Sequence, residues 1–379
     1  MIYLDHLAAT PLLPEARAAM EPFLGGQFGN PTHLHRMGLA AAEALRAARG
    51  EAAVLLRARP DEITFTSSGT ECANWVLKGL AGKKPSGHLI LTEAEHPALH
   101  DTALFLERSG FSVTWVPVDG EGKADPAAFR AALRPETFLL ATHVSNHDSG
   151  AIQDLSAIGA VAREAGVPFF ADATTAGGWI DLDVSVLPVD FLSLSPHRFH
   201  GPKGVGILYQ RTGQVLGPLL HGGRQEDGRR GGTENVAGIT GAGVACHWAG
   251  VNLPARTAEV GLLRDALWES LRSQVPDARI NGPVPGPGRD PRHLSVSFEG
   301  VEAESLMLLL DLRGVLVTAA SGCLGPGEKY SRVLRVMGLD KGRIRSAILM
   351  APGPGQTLDD IERASAIMAG AVEKIRGMG

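Results

Sequence analysis

The sequence predicts an α/β protein with a large, mostly parallel β-sheet domain and a smaller α+β domain. Over residues 60–250, short apolar runs alternate with amphipathic stretches, which is typical of a parallel sheet covered on both faces by helices. This alternation ends near residue 255, and 379 residues are more than one simple core usually takes. We therefore predict a large domain over residues 16–254 and a small domain from residues 1–15 and 255–379.

Seven strands are predicted in the large domain because short runs of Val, Ile, Phe and Thr are bounded by turn residues. They are Glu62–Thr66, His88–Thr92, Ser112–Val118, Phe138–His143, Val167–Asp172, Phe191–Ser195 and Val205–Tyr209. Amphipathic segments between them predict helices, among them Pro126–Leu133 and Ser156–Ala165. In the small domain the predicted elements are a helix (Ala258–Val275), a strand (His293–Phe298) and two further helices (Ala303–Leu310 and Leu358–Arg376).

Composition excludes several classes of partner. The formal net charge of −5 argues against nucleic-acid binding. No apolar run approaches the roughly 18–20 residues of a membrane span, and Met1–Asp5 lacks the character of a signal peptide. The cysteines Cys72, Cys246 and Cys323 have no zinc-type spacing, so we expect no metal site and a reducing, cytoplasmic location.

Polar residues follow several predicted strands, and ligands of open α/β sheets collect at the carboxyl ends of strands. Ser67–Thr70 opens a helix with a small, glycine-containing turn that suits a phosphate, although a simple helix cap explains it too. His96 can stack on a ring or carry a proton, but a lone histidine is more often structural. The polar segment Ser145–Gly150 is equally consistent with a tight turn.

The acid Asp172 ends a predicted apolar strand, where a carboxylate is costly without a partner. A protonated pyridine nitrogen is one such partner, because the carboxylate keeps the ring an electron sink. A helix cap is the alternative reading. The next strand leads into the polar, glycine-containing segment Ser195–Gly204.

Taken together, these motifs resemble the cysteine desulfurases, which are class V aminotransferases of the fold type I pyridoxal-phosphate (PLP) architecture. The resemblance covers nearly the whole chain, with the motifs in the family's order. The matching segments are Tyr3–Pro11, Gly29–Arg36, Gly69–Thr70, Glu95–Pro97, Asn146–Gly150, Asp172–Ala173, Ser195–Gly204, His221–Glu226 and Gly232–Asn235.

The resemblance implies a role for each matched position. The cofactor phosphate is expected to lie against the Gly69–Thr70 turn, Ser195 and His197, and Thr233 is expected to reach it from the other subunit of a homodimer. The ring is expected to contact His96 by stacking, Asp172 at its nitrogen, and Asn146 and Thr175 near its phenolic oxygen. Cys323 falls where the family keeps the nucleophile that takes sulfur from cysteine, although an inert thiol is the alternative.

The position of the family's Schiff-base lysine is occupied by Arg198. A lysine amine can be deprotonated and attack an aldehyde, whereas a guanidinium with a pKa above about 12 cannot. Lys203 does not obviously replace it, because the family has that lysine in addition to the catalytic one. Any bound PLP is therefore expected to be non-covalent, and proton transfer would then need His96 or water.

Two further positions depart from the family. Thr175 replaces a glutamine, and Leu349 stands where the family keeps the arginine that binds the substrate carboxylate. Arg343 and Arg345 lie upstream, and only a local slip in register would bring either into place.

Two hypotheses follow from these departures. The first is a PLP-dependent cysteine desulfurase with impaired or altered catalysis, acting on cysteine or another small amine. The second is a non-catalytic homologue, which would act as a dimeric scaffold or as a partner that binds sulfur-acceptor or iron–sulfur proteins. A related version of the second binds pyridoxamine phosphate or another phosphorylated ligand, which needs no lysine.

Overall fold

The computed structural model describes residues 1–320 and 330–378. Within this part of the chain the strands are β1 (Ile2–Tyr3), β2 (Ile63–Thr66), β3 (His88–Thr92), β4 (Ser112–Val116), β5 (Thr137–His143), β6 (Phe169–Asp172), β7 (Phe191–Leu194), β8 (Gly206–Gln210), β9 (Arg279–Ile280), β10 (Leu294–Ser297), β11 (Val315–Leu316), β12 (Thr318–Ala319) and β13 (Ala347–Met350).

The α-helices of the same ranges are α1 (Pro14–Leu24), α2 (Arg36–Leu56), α3 (Gly69–Ala81), α4 (Pro97–Arg108), α5 (Pro126–Ala132), α6 (Leu155–Ala165), α7 (Val236–Gln274), α8 (Ala303–Leu312), α9 (Arg332–Val336), α10 (Lys341–Arg345) and α11 (Leu358–Arg376). None of these helices combines the length and the apolar character needed to cross a lipid bilayer.

All seven strands predicted for the large domain pair into one sheet, in the order β2-β8-β7-β6-β5-β3-β4. Its central pairings are parallel, while β8 runs antiparallel to both of its neighbours, β2 and β7. The predicted α/β fold with a mostly parallel sheet is therefore confirmed, with one strand reversed. The parallel strands β3, β5, β6 and β7 bring their carboxyl ends to one edge of the sheet, which is where polar residues follow them.

The sheet is buried because helices and loops cover both of its faces. Every residue of β3, β5 and β6 is buried, and one apolar cluster lies on each face. One cluster includes Ile90, Leu140 and Phe169, and the other includes Leu89, Leu139 and Phe170. Consecutive residues of a strand thus pack into opposite clusters, as the alternation of side chains along a strand requires.

The smaller domain has its own sheet and core. Its antiparallel sheet has the order β12-β13-β10-β9, and the N-terminal strand β1 pairs in parallel with β11. Ile2 and Leu4 pack into the core cluster formed by this domain. The first residues of the chain therefore contribute to the core of the C-terminal region. The division into residues 1–15, 16–254 and 255–379 remains a prediction.

The helix predicted at Ala258–Val275 is wrong at its start, because α7 is one continuous helix of 39 residues, Val236–Gln274. Pro254 lies inside it, and a proline inside a helix removes one hydrogen bond. Tertiary packing outweighs that cost: α7 packs along α1, α2 and α11. The predicted domain boundary at residues 254–255 thus falls within a helix.

Candidate active site

The predicted phosphate-binding turn is held by contacts among three segments that follow different strands. The N–H of Gly69 donates to Ser195 Oγ at 3.1 Å, and Ser68 caps the helix by accepting from the N–H of Glu71 at 3.1 Å. A Cβ at Gly69 would come within 2.3 Å of Thr174 Oγ1 and 2.9 Å of Ser195 Oγ. Only glycine allows this close approach, so the turn, Ser195 and Thr174 form one compact group.

Asp172 is fixed in place by its own neighbours. The carboxylate oxygen Oδ1 accepts from Ser193 Oγ at 2.7 Å and from the N–H of Thr174 at 3.0 Å. The side chain is buried at the end of β6, and the pairing of β6 with β7 sets Asp172 beside Ser193. Both bonds reach the same oxygen, so Oδ2 is the atom left for a further partner.

His96 stands at the start of α4, directly after the loop that follows β3. Its Nδ1 accepts from the N–H of Ala98 at 3.1 Å, so a proton on the neutral ring is carried by Nε2. Its ring meets that of His147 edge-on, with centroids 5.0 Å apart. Burial lowers the pKa of His96, and the nearby charge of Arg198 reinforces this while Asp172 opposes it.

The Arg198 side chain reaches this pocket and ties it to the N-terminal segment. Its Nη1 donates to the carbonyl of Leu7. Burial lowers the pKa of His197 to about 4, with the charges of Arg198 and Lys203 adding to the effect. Burial also raises the pKa of Asp5 to about 6, an effect that Arg198 opposes. Arg198 therefore lies among Asp5, His96 and His197.

Asn146 is buried and its amide group is used by the backbone. Its Oδ1 accepts from the N–H groups of Asp148 and Ser149, each at 2.9 Å, and its Nδ2 donates to the carbonyl of Ala94 at 2.9 Å. Asn146 thus ties the loop after β5 to the loop that carries His96. Its Nδ2 also lies 3.5 Å from His143 Nε2, so the amide group has protein neighbours on both sides.

Two buried side chains, His143 and Glu95, contact each other next to these loops. His143 Nδ1 is 3.2 Å from Glu95 Oε1, and His143 Nε2 lies 2.9 Å from Gln153 Nε2. Burial acts to raise the pKa of Glu95, but the charge of His143 and the hydrogen bonds from it and from Thr92 hold that pKa below its usual value. Glu95 directly precedes His96 in the chain, so its contact with His143 supports the loop that carries His96.

The remaining predicted residues are placed less centrally. Thr70 is exposed at the N-terminus of α3, and Thr175 is buried, with its carbonyl accepting from Arg292 at 2.7 Å. Thr233 is exposed and lines a cavity with Ser67 and Gly204, so within this chain it is not beside Asp172. Cys323 lies outside the described residues.

Sequence reasoning missed several polar groups of the site. Thr174 Oγ1 is buried with no hydrogen-bond partner among the described residues, and it faces Gly69. The imidazole of His147 meets the ring of His96 edge-on, and Ser331 Oγ donates to Asp148 Oδ2 at 2.5 Å. His147 and Asp148 sit inside a segment that reads as an ordinary turn, and nothing in the sequence indicates that they would face the site.

These residues fit PLP, the cofactor that the resemblance implies. A phosphate suits the N-terminus of α3, a helix of 13 residues. It also suits the Ser195 hydroxyl and the His197 ring as hydrogen-bond donors, and the Thr174 hydroxyl, which has no partner among the described residues. The fixed carboxylate of Asp172 is suited to a protonated pyridine nitrogen. The described residues offer no amine at position 198 for a covalent bond to the aldehyde.

Comparisons with known proteins agree with this geometry. Residues 2–350 match the family described as Aminotransferase class-V. A protein of Clostridium botulinum named Cysteine desulfurase IscS is 36% identical over 379 residues, which covers 100% of this chain and 96% of that protein. The protein of the same name from Methanosarcina thermophila is 38% identical, covering 100% of this chain and 93% of that one.

A solved structure titled NIFS-LIKE PROTEIN has the same fold. It superposes with a TM-score of 0.92 at 32% sequence identity, and the match covers 98% of this chain and 99% of the other. The fold type I architecture expected from the motifs is thereby confirmed.

Proposed function

The chain belongs to the aminotransferase class V family, in its cysteine desulfurase branch, and on that premise we propose that it binds PLP without a covalent bond and transfers sulfur from cysteine slowly. The observation that carries this proposal is the placement of Asp172. Its Oδ1 is held by Ser193 and Thr174, and its charge acts on the pKa of His96. By the resemblance, Arg198 stands at the position of the reactive amine.

Each group of the chain has a part in the proposed site. The α3 N-terminus, Ser195, His197 and Thr174 would hold the phosphate, and Asp172 would keep a proton on the ring nitrogen. PLP, when bound, supplies an electron sink for electrons released at the amino-acid carbons. His96 would stack on the ring, and burial lowers its pKa, which favours the neutral form. It would take up a proton at Nδ1, which would then release the Ala98 N–H that it accepts.

The sulfur step is assigned to Cys323 on the basis of family resemblance. Its thiolate would attack the sulfur of cysteine, so that the carbon–sulfur bond breaks and a persulfide forms on Cys323. The carbon skeleton leaves as alanine after protonation, and the exchange needs no added oxidant or reductant. Cys72 and Cys246 are fully buried, and burial raises the pKa of both thiols, so neither suits this role.

Arg198 sets the rate in this proposal. A lysine at that place both bonds to the aldehyde and moves a proton, and a guanidinium does neither near neutral pH. Loss of a positioned general base costs about 10²–10⁴-fold in rate. We therefore expect sulfur transfer that is measurable but slow.

The proposal is tested by following persulfide formation on the purified protein loaded with PLP. Mass spectrometry after addition of L-cysteine should show that the peptide containing Cys323 gains about 32 Da, which is the mass of the one sulfur atom that a persulfide adds. The C323A variant should lose this increase, and C246A, a matched control at a buried thiol, should retain it. No increase in the wild-type protein, despite a bound cofactor, would contradict the proposed activity.

A second candidate function is a non-catalytic, dimeric scaffold. The observation that favours it is the hydrogen bond from Arg198 to the carbonyl of Leu7, which uses the residue to join the N-terminal segment to the site. In this case PLP or pyridoxamine phosphate would stabilise the fold without turnover. This function is identified by an unfolding temperature that rises when either compound is added, together with no persulfide on Cys323.

The same proposal includes the oligomeric state of the protein, its location in the cell and its partner. We expect a homodimer in the cytoplasm, with Thr233 of each subunit reaching the other subunit's phosphate site. A sulfur-acceptor or iron–sulfur scaffold protein is the expected partner of the Cys323 persulfide. Gel filtration with light scattering tests the dimer directly.

A further inference from the structure

The inference concerns how the main chain at position 198 is held, and it rests on the proposed function. Arg198 ends one short helical turn, Pro196–Arg198, that directly follows Ser195. Its N–H donates to the carbonyl of Ser195 at 3.0 Å, and the N–H of Phe199 donates to the carbonyl of Pro196 at 3.0 Å. These bonds close the turn on itself, so the carbonyl of Arg198 can accept hydrogen bonds from other parts of the fold.

Two buried side chains from distant parts of the sequence approach that carbonyl. Trp179 Nε1 donates to the carbonyl oxygen of Arg198 at 2.8 Å, and Arg292 Nη1 lies 3.4 Å from the same oxygen. Both side chains are buried almost completely. The first bond has an ordinary length and the second is long for a hydrogen bond, so Trp179 is the main partner of this carbonyl.

Arg292 connects position 198 to the loop that carries Thr175. Its Nη2 donates to the carbonyl of Thr175 at 2.7 Å, and its guanidinium carbon lies 4.4 Å from the centre of the Trp179 ring. A guanidinium is a rigid planar fork, so one that donates to a carbonyl while stacking on an indole fixes both in one geometry. Positions 175 and 198, which both depart from the family pattern, are thus joined by one side chain.

The charge of Arg292 is balanced by Asp290 in the same buried region. Asp290 Oδ2 lies 3.1 Å from Arg292 Nη2, and Oδ1 lies 3.2 Å from Nε. Asp290 Oδ2 also accepts from Ser145 Oγ at 3.2 Å. Through these contacts the pair reaches Ser145 after β5, Thr175 after β6 and Arg198 after β7, so one segment before β10 holds three loops at the carboxyl edge of the large sheet.

The backbone beside Trp179 packs directly on the turn that contains Arg198. Gly178 has a φ of +71°, and a Cβ at this position would lie 2.7 Å from the Cβ of Phe199. Only glycine allows this close approach. The approach sets the Trp179 indole at one distance from the turn, and the hydrogen bond to the Arg198 carbonyl then sets the orientation of the turn.

We propose that Trp179 and Arg292 are positioning residues, which fix the main chain of residue 198 relative to Thr175 and so set how fast an amine at position 198 reaches the cofactor aldehyde. The side chain of residue 198 leaves this fixed main chain in one direction, and in this protein the Arg198 guanidinium extends to the carbonyl of Leu7. A lysine at position 198 would start from the same fixed point.

The test uses R198K, in which the lysine amine can bond to PLP and be trapped by borohydride. PLP is added to the protein, samples are reduced at successive times, and peptide mapping gives the rate of labelling at residue 198. The rate is compared for R198K alone and for R198K combined with W179F or R292K. W179F keeps an aromatic ring but loses the N–H donor, and R292K keeps the positive charge beside Asp290 but loses the planar fork.

The matched control is W248F combined with R198K. Trp248 stacks on Arg256, which also stacks on Trp179, so W248F alters the same part of the core and leaves the bond to the Arg198 carbonyl in place. PLP titration and the unfolding temperature of every variant separate positioning from a general loss of structure.

W179F should slow the labelling of R198K by roughly 10- to 100-fold, because a displacement of about 1 Å can cost about 10²-fold in rate. R292K should slow the labelling in the same direction. PLP affinity and unfolding temperature should change no more in these variants than in W248F, whose labelling rate should match that of R198K alone.

Three results would contradict the proposal. Labelling of W179F/R198K and R292K/R198K at the rate of R198K would overturn the positioning role and leave the proposed function intact. A slower labelling matched by an equal loss of PLP affinity would also overturn it, because that pattern indicates a damaged pocket. If R198K binds PLP but takes no label, residue 198 does not face the aldehyde, and both the positioning role and the proposed function fail.

Discussion

At the scale of single residues, the environment of the Asp148 carboxyl predicts how the stability of the protein depends on pH. Burial raises its pKa to about 7, with Ser331 and Arg332 opposing that effect. The other group that faces it is His147, whose Nε2 lies 3.8 Å away and whose pKa is well below the usual value. A carboxyl with a raised pKa favours folding in its protonated form, so its contribution is present at low pH and is lost as pH rises through about 7.

We therefore expect the free energy of unfolding of the wild type to fall by up to about 4 kcal/mol between roughly pH 4 and pH 8 from this group. D148N, which mimics the neutral acid, should remove that slope, whereas the exposed control E107Q should keep it. Urea denaturation at several pH values measures both. An unchanged slope in D148N would show that Asp148 is ionised throughout.

A second prediction at this scale concerns the hydrogen bond that Ser193 donates to Asp172. S193A removes the Ser193 hydroxyl that donates to a buried carboxylate at 2.7 Å, and the loss should cost about 1.5–3 kcal/mol of stability or cofactor binding. S185A breaks the same kind of bond, from Ser185 Oγ to Asp183, but at an exposed site, and should cost less than about 0.5 kcal/mol. Denaturation and PLP titration of both variants provide the comparison.

Single residues also show the limits of the sequence. Asp172, Ser195 and His197 could be proposed from the sequence because they follow strands in a recognisable order. Thr174 and His147 could not, because their importance comes from contacts across the fold. Thr174 matters through its approach to Gly69 from another loop, and His147 through the edge-on contact of its ring with His96.

At the scale of elements, the start of helix α3 depends on one glycine. Gly69 has no room for a Cβ, because Thr174 Oγ1 and Ser195 Oγ would be 2.3 and 2.9 Å away. G69A should therefore weaken PLP binding and destabilise the protein by about 1–3 kcal/mol. Gly50, inside α2, has no atom near its Cβ position, and G50A should stabilise the helix by about 0.5–1 kcal/mol.

Calorimetric melting and PLP titration of the two variants test this contrast. A G69A protein that binds PLP like the wild type would show that Thr174 and Ser195 move aside at little cost. Such a result would weaken the assignment of the phosphate to the start of α3.

The elements themselves were largely predictable. Strand β3 and helix α11 have the bounds expected from the sequence, because local apolar periodicity and turn residues decide them. Helix α7 was predicted too short, because Pro254 and the glycine-rich stretch before it are poor helix formers locally. Only packing against α1 and α2 keeps that part of α7 helical, and such packing is not visible in the sequence.

At the scale of the whole molecule, large apolar side chains between α1 and α2 predict a contact with a second copy. Phe28 is 79% exposed and Leu34 is 88% exposed, which is unfavourable for a free surface. The double variant F28D/L34D should shift the protein towards a monomer in light scattering, and should weaken PLP binding if Thr233 acts between subunits. V186D, at an exposed valine of another loop, should remain dimeric.

A dimer that survives F28D/L34D would place the interface elsewhere. Weakened PLP binding in V186D, without a change in mass, would show that the effect on the cofactor does not come from the lost partner. A monomeric F28D/L34D protein that binds PLP like the wild type would remove Thr233 from the proposed phosphate site.

The most direct test of the central claim is borohydride reduction of the PLP-loaded protein, followed by peptide mapping of the wild type and R198K. We expect no PLP label on any lysine of the wild-type site, and a label on residue 198 of R198K with a gain of about 10²–10⁴-fold in persulfide formation. A stable PLP label on a wild-type lysine such as Lys203 would contradict the account, because the cofactor would then be bound covalently despite the arginine at position 198.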